Sequence, residues 1–388
     1  MLIVKEVAGR TTLLAVNSCL IPLPAMADCE VYTVESLATG EKLAQVQKAM
    51  IATGGSQCGY CTPGFIISMF AEHSRNRPVT TEALGGNLCR CTGYRPILEA
   101  LQSVGPIANP RTAAAPEMRP LSYQTSEGRF SRPPSLSECF EIMRADPQAQ
   151  LVAGNTDLGV LTNLRHHRYP HLVSVEALNE LREFHEGRET VEIGAGLTLT
   201  EIEELWKEPP QVFREWLPLF ASPLIRNRAT LGGNIMTASP IGDGAPMLLA
   251  LDAVARVAGP AHERLIPLNE FFLSYRQTAA APGEILRSIV IPKPFPRICA
   301  FYKVAKRRFD DISTVAACFA VDESQGIRLA FGGMAPTPVR VDVAKWSQAS
   351  DAIRSTLQPI GDHRGSAAYR LAIAQSLLEK LRAEHLSG

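Results

Sequence analysis

The sequence has no excess of either charge. Lysine plus arginine number 39 and aspartate plus glutamate number 39, so the formal net charge is zero. A nucleic-acid-binding surface is therefore not expected, although a local basic patch is compatible with neutrality. Long apolar runs are missing too. No stretch approaches the ~18 residues that would span a bilayer, so no membrane association is expected. Internal repeats and low-complexity tracts are absent. The chain also lacks a disulfide framework: its nine cysteines are odd in number and unevenly clustered along 388 residues, which is not the pattern of a stapled secreted domain. Near the start, "TTLLAVNSCLIPLPAMAD" ends in Ala25-Met26-Ala27 and imitates a signal-peptidase site. Asn17, Ser18, Pro22 and Pro24 interrupt its apolar run, so a cytoplasmic protein is expected rather than an exported one. With 46% hydrophobic and 20% charged residues, the remaining expectation is an ordinary globular chain of two or three domains.

What is present divides visibly. Residues 40–104 read helical in short pieces bounded by Gly or Pro: "GEKLAQVQKAMIATG", "PGFIISMFAEHSRN", "TEALGG" and "RPILEALQSVG". Residues 105–135 contain six prolines and no sustained period, and read as a linker. From residue 130 onward, short strands alternate with helical patterns, as in "AQLVAGNTDLG", "LVSVEAL" and "TVEIGAGLTLTEIEELW". "AAYRLAIAQSLLEKLRAEHL" closes the chain as an amphipathic helix.

The cysteines carry the chemistry. Cys58 and Cys61 form a C-x2-C pair in "QCGYCTPGF", and Cys89 and Cys91 a C-x1-C pair in "GNLCRCTGYRPI". Adjacent cysteines one residue apart cannot close a disulfide of reasonable geometry. Four thiolates can hold zinc or an iron–sulfur cluster, and zinc ribbons usually present two C-x2-C knuckles. Thr62 is expected to cap a helix beginning at Pro63, and Thr92 or Tyr94 one beginning near Pro96. Both pairs would then sit at helix N-termini, where free N–H groups favour thiolates. The other thiols, including Cys139, Cys299 and Cys318, read as buried small hydrophobes. "GAG" at 194–196 lacks the third glycine of a dinucleotide fingerprint and reads as a strand–helix turn. Lys306-Arg307-Arg308 reads as a solvated face.

Together, "QCGYCTPGF" and "GNLCRCTGYRPI" resemble the helical [2Fe-2S] domain of the xanthine dehydrogenase family of molybdenum hydroxylases. The resemblance implies Cys58, Cys61, Cys89 and Cys91 as the ligands of one cluster. It extends onward. "LVAGNTDL" looks like the family's first flavin loop, implying FAD contacts at Leu151, Val152, Ala153, Gly154, Asn155, Thr156, Asp157 and Leu158. "RNRATLGGNIMTASPIGDGAP" looks like the second, implying Thr230, Leu231, Gly232, Gly233, Asn234 and Asp243. Phe220, Leu286 and Lys303 match further flavin contacts.

The implied fold is a multidomain α+β chain. Residues 1–38 would be a remnant of a β-grasp ferredoxin-like domain, and 39–104 an all-α [2Fe-2S]-binding domain. A linker would cover 105–129, an α+β FAD-binding domain (PCMH-like) 130–290, and an α/β subdomain 291–388. Full-length relatives carry a second, plant-type cluster in the ferredoxin-like domain. Here "VNSCL" matches only its fourth ligand, at Cys19, leaving an orphan; one cluster is expected in this chain. Without the rest of that domain, "TTLLAVNSCLIPLPAM" is expected to be poorly covered.

The implied activity is oxidoreductase chemistry shared with other components. A molybdopterin-binding large subunit would oxidise hypoxanthine or xanthine, and electrons would pass through [2Fe-2S] and FAD to NAD within a hetero-oligomer, with no catalytic residue of the purine step in this chain. Two alternatives remain open: a related hydroxylase acting on an aldehyde or another N-heterocycle, and a non-catalytic remnant.

Overall fold

The structure is a computed structural model that describes residues 1–75, 77–108, 115–322 and 326–386. They fall into two units. One comprises residues 1–133, 148–177 and 222–229, and the other 134–147, 178–221 and Thr230 onward.

The first unit begins with a three-stranded antiparallel sheet in the order β2 (Arg10–Ala15), β1 (Leu2–Val7), β3 (Val31–Tyr32). The alternation of its side chains divides two cores. Leu2, Val4, Leu13 and Ala15 join the core of the helical segment, whereas Ile3, Val7, Leu14 and Val16 pack with Met1, Ile21 and Met26. The expectation of a poorly covered N-terminal segment fails for Leu13 and Leu14, each 1% exposed, and holds at Leu23, which is 85% exposed. Both faces of β2 find apolar cover, one of them from a helix of the helical segment that follows.

That segment is built from α1 (Gln45–Ala52), α2 (Thr62–His73) and α3 (Arg95–Ser103). Val46 and Met50, Phe65 and Met69, and Ile97 and Leu101 recur at helical spacing and meet in one core. The Pro-rich stretch that follows carries two strands. β4 (Leu121–Gln124) pairs with β5 (Arg129–Arg132), which continues in parallel through β7 (His171–Ser174) to β6 (Ala149–Val152). Periodicity hid these strands because they are four residues each and β4 is exposed along most of its length. Residues 109–114 of the expected linker lie outside the described residues.

The second unit holds two antiparallel sheets and a ribbon. β8 (Phe184–Glu186), β9 (Thr190–Gly194), β10 (Val254–Ala258) and β11 (Glu263–Pro267) combine with β14 (Ile285–Pro292) in the order β11-β10-β14-β9-β8. β12 (Phe272–Ser274) and β13 (Gln277–Thr278) form the ribbon. β15 (Ile298–Val304), β16 (Val315–Asp322), β17 (Gly326–Gly332) and β18 (Val339–Val343) run as a meander. Ala317, Phe319, Leu329 and Phe331 face the helices Ala349–Thr356 and Ala367–Leu381. The helix Gly244–Ala250 packs against β16 and β17. After "GAG" the chain turns into the helix Leu199–Leu205, as expected. Thr198 accepts from the Glu201 amide and Glu201 accepts from the Thr198 amide, a reciprocal cap.

One ion pair in this unit makes a pH prediction. Arg264 donates to Glu284 through Nε at 2.8 Å and Nη2 at 2.7 Å. These bonds hold the Glu284 carboxyl down at about 2, from an ordinary 4.5. A carboxyl whose folded value is lowered adds stability that is complete above its ordinary value and is lost as pH falls toward the folded one. Arg264→Met should therefore melt below the parent at neutral pH, with the gap closing between pH 4.5 and about 2. An offset that stays constant across this range would contradict the pairing.

Candidate functional site

In the first unit, the four motif cysteines come together as two pairs. Cys58 and Cys91 stand 3.5 Å apart, sulfur to sulfur, and the Cys61 thiol contacts that of Cys89. Cys61 itself caps α2, with Thr62 and Pro63 as the first two helical residues. The cap thus falls one residue earlier than expected. Cys89 and Cys91 lie in the turn before α3, whose cap is Tyr94 in a left-handed conformation at φ 68°. Tyr94 organises this turn. Its hydroxyl accepts from the Cys89 amide at 3.0 Å, and its ring meets Phe65 edge-on at 6.2 Å.

The thiols differ in environment. The Thr92 hydroxyl lies 3.2 Å from Cys89 Sγ, and the amides of Cys91 and Thr92 donate to that sulfur at 3.4 and 3.5 Å. The Thr92 hydroxyl, then the amides, bring the Cys89 thiol down to about 7. The Tyr60 amide lowers Cys58, whereas burial, followed by the neighbouring Cys89, pushes Cys61 up to about 11.

Among the described residues, no three His, Cys, Asp or Glu side chains converge as they would on a single metal ion. Two pairs of thiols fit a binuclear cluster better. A tetrahedral metal with thiolate bonds of about 2.3 Å places its two sulfurs about 3.8 Å apart, close to the Cys58–Cys91 separation of 3.5 Å. Amides aimed at Cys89 are of the kind that, around a bound iron–sulfur cluster, would act as outer hydrogen bonds to its thiolates. The residues present fit a [2Fe-2S] group.

The first flavin-type loop follows β6. Gly154 is buried against backbone, and a Cβ there would lie 1.7 Å from the Arg228 carbonyl oxygen. Asn155 sits at φ 60°, the left-handed region that Asn tolerates better than most residues. Its side-chain amide donates to the Leu20 carbonyl, and that of Asn163 donates to Cys19 at 2.8 Å. Asn227 donates to Ala15 at 2.7 Å. The exposed Cys19 therefore lies on a segment tied to the loop.

In the second unit, Thr230 caps the helix Leu231–Met236, its hydroxyl accepting from the Gly233 amide at 2.9 Å. Gly232 packs against Ala195 so closely that a Cβ would meet it at 2.5 Å, whereas a Cβ on Gly233 would meet only the Thr230 hydroxyl. Asn234 accepts from the Gly244 amide at 3.1 Å. Next to this cap, Lys303 donates to Asp243 Oδ2 at 2.7 Å and to the Leu219 carbonyl at 2.8 Å. The Trp216 indole donates to the Asp243 carbonyl at 2.8 Å and its ring contacts Phe220 at 5.4 Å. Burial pushes the Asp243 carboxyl up, opposed by Lys303 and Ser313. Leu286 lies in β14, the strand against which the helix Leu231–Met236 packs.

Thus the second-unit residues Phe220, Thr230 to Asn234, Asp243 and Lys303 form one connected group. Reading the sequence missed Ser313, whose hydroxyl donates to Asp243 Oδ1. It also missed Thr92 and Tyr94 as partners of Cys89. Only their place in "CRCTGY" could have pointed to the latter two. Cys139 and Cys318 are buried; Cys299 is half-buried, 3.8 Å from Cys318.

Comparison with known proteins agrees with these arrangements. Residues 33–102 match the [2Fe-2S] binding domain, 123–294 the FAD binding domain in molybdopterin dehydrogenase, and 300–346 the CO dehydrogenase flavoprotein C-terminal domain. Xanthine dehydrogenase of Drosophila pseudoobscura pseudoobscura is 35% identical over 404 residues, covering 84% of this chain and 30% of that protein. Mouse xanthine dehydrogenase/oxidase is 32% identical over 398 residues, with the same coverage of 84% and 30%. The chain thus spans about a third of the length of these relatives. A carbon monoxide dehydrogenase structure from Hydrogenophaga pseudoflava, lacking the Mo-pyranopterin moiety of its cofactor, aligns with a TM-score of 0.60 at 26% identity, covering 68% of this chain and 96% of that one. The fold is the multidomain α+β arrangement that the resemblance implied, and FAD and [2Fe-2S] domains are both present. The chain carries a [2Fe-2S] binding domain and the FAD binding domain in molybdopterin dehydrogenase, and over 84% of its length it is similar to a region of xanthine dehydrogenases.

Proposed function

We propose that this chain is the electron-transfer component of a xanthine dehydrogenase. In this reading a molybdopterin-binding partner subunit oxidises hypoxanthine and xanthine, NAD is the final acceptor, and the assembly is a cytoplasmic hetero-oligomer. The observation that carries the reading is the pairing of four thiols in a [2Fe-2S] domain on the same chain as an FAD domain. When bound, [2Fe-2S] supplies one-electron chemistry and FAD links it to two-electron hydride chemistry.

The chain's own residues hold and orient these groups. Cys58, Cys61, Cys89 and Cys91 supply the thiolates, with Thr92 and two amides stabilising charge on Cys89. Leu151 to Leu158 offer FAD a loop whose shape depends on Gly154, where the lack of a side chain lets the Arg228 carbonyl pack against the loop. In the second unit, Thr230 to Asn234 offer main-chain and side-chain donors, and Phe220 and Leu286 offer apolar surface. Lys303 has three donors, of which Asp243 and Leu219 take two. At residue 233 a β-branched side chain would first displace the Thr230 cap and should strip FAD from the protein during gel filtration. Retention of the flavin absorbance would contradict that assignment.

Anaerobic mixing of the flavin-loaded chain with NADH tests the acceptor directly. Rapid bleaching of the visible flavin band is expected. Bleaching by dithionite but not by NADH would leave the electron-transfer assignment and remove NAD. A second reading, in which the partner oxidises another substrate, draws support from the likeness to carbon monoxide dehydrogenase over 68% of the chain.

A further inference from the structure

We infer that Ser313 is a positioning residue for the flavin site: with Lys303 it fixes both oxygens of Asp243, so that the carboxylate presents a single orientation to FAD. The inference rests on the reading of Asp243 and Lys303 as flavin contacts. Ser313 is 0% exposed, two residues before the start of β16. Its hydroxyl donates to Asp243 Oδ1, and Lys303 Nζ donates to Oδ2 at 2.7 Å. The Asp243 backbone is held as well, its carbonyl accepting from Trp216 at 2.8 Å. The terminal torsion of an aspartate is broad and nearly two-fold, so a single donor leaves the carboxylate free to swing. Two donors from different segments, one on each oxygen, remove that freedom.

A serine kept only to fill space is the competing explanation. Packing alone requires no hydroxyl at a fully buried position, and an unpartnered one would be costly there. Here the hydroxyl is spent on Asp243, a buried carboxylate at the end of the second flavin-type loop. Preorganised ligands of this kind lower the ordering cost of binding.

The test measures FAD affinity by titrating deflavinated protein, together with the visible flavin spectrum of the reloaded protein and the melting temperature of the deflavinated form. Ser313→Ala should weaken FAD binding about tenfold, the worth of one hydrogen bond to a charged group, and shift the flavin band. Ser313→Cys, which keeps the volume but donates weakly, should fall between parent and alanine, and it reports even if the alanine variant folds poorly. In an Asp243→Ala background, which removes the acceptor, Ser313→Ala should add little. Parent-like affinity and spectrum in Ser313→Ala would overturn the inference, as would an undiminished effect in the Asp243→Ala background. Those results leave the flavin site standing, whereas a parent chain that takes up no FAD overturns the site and the inference together.

Discussion

Replacing Cys89 by serine is expected to abolish cluster binding, taking iron from about two atoms per chain to near zero. No other motif thiol has as many hydrogen bonds aimed at it. The Thr92 hydroxyl and the amides of Cys91 and Thr92 all lie within 3.5 Å of its sulfur. Such donors stabilise a thiolate and leave a neutral serine hydroxyl a poor substitute. Cys139→Ala provides the control. That thiol is 0% exposed in a helix of the other unit, and burial pushes it up to about 12, so its removal should leave iron content unchanged. Equal loss of iron in both variants would mean that folding, not ligation, was disturbed.

The second large effect is expected at Gly154. A side chain there would place Cβ 1.7 Å from the Arg228 carbonyl oxygen and 2.4 Å from its carbon. Both are backbone atoms, so no rotamer change relieves the overlap. Gly154→Val should cost about 3 kcal/mol or more, at or beyond the upper end of overpacking, and should release FAD. Gly233→Ala makes the comparison informative, because its Cβ would meet only the Thr230 hydroxyl at 2.8 Å. It should be clearly milder in stability. Similar melting temperatures for the two variants would show that the loop around Gly154 yields more easily than its backbone contacts imply.

The pairing of Cys58, Cys61, Cys89 and Cys91 was legible because their spacing is chemistry: two close pairs of thiols have few other uses. The helices α1 to α3 were legible from apolar residues at helical spacing between Gly and Pro. β4 and β5 were not, because four-residue strands leave too little alternation among six prolines. The cover of Leu13 and Leu14 was hidden for a different reason. It comes from α2 and from Ile21 and Met26, and long-range packing leaves no local mark. The candidate flavin residues were named through likeness rather than pattern, since "LGGN" alone is an ordinary turn. Ser313 was invisible by either route. A serine next to a strand signals nothing until the fold brings Asp243, 70 residues away, to its hydroxyl.

The most direct test of the account is a joint determination of iron, acid-labile sulfide, zinc and FAD on the anaerobically purified chain. The account predicts about two irons and two sulfides per chain, as for one [2Fe-2S] cluster, with FAD equimolar to the chain and no zinc. Zinc in place of iron, or a cluster without flavin, would contradict it.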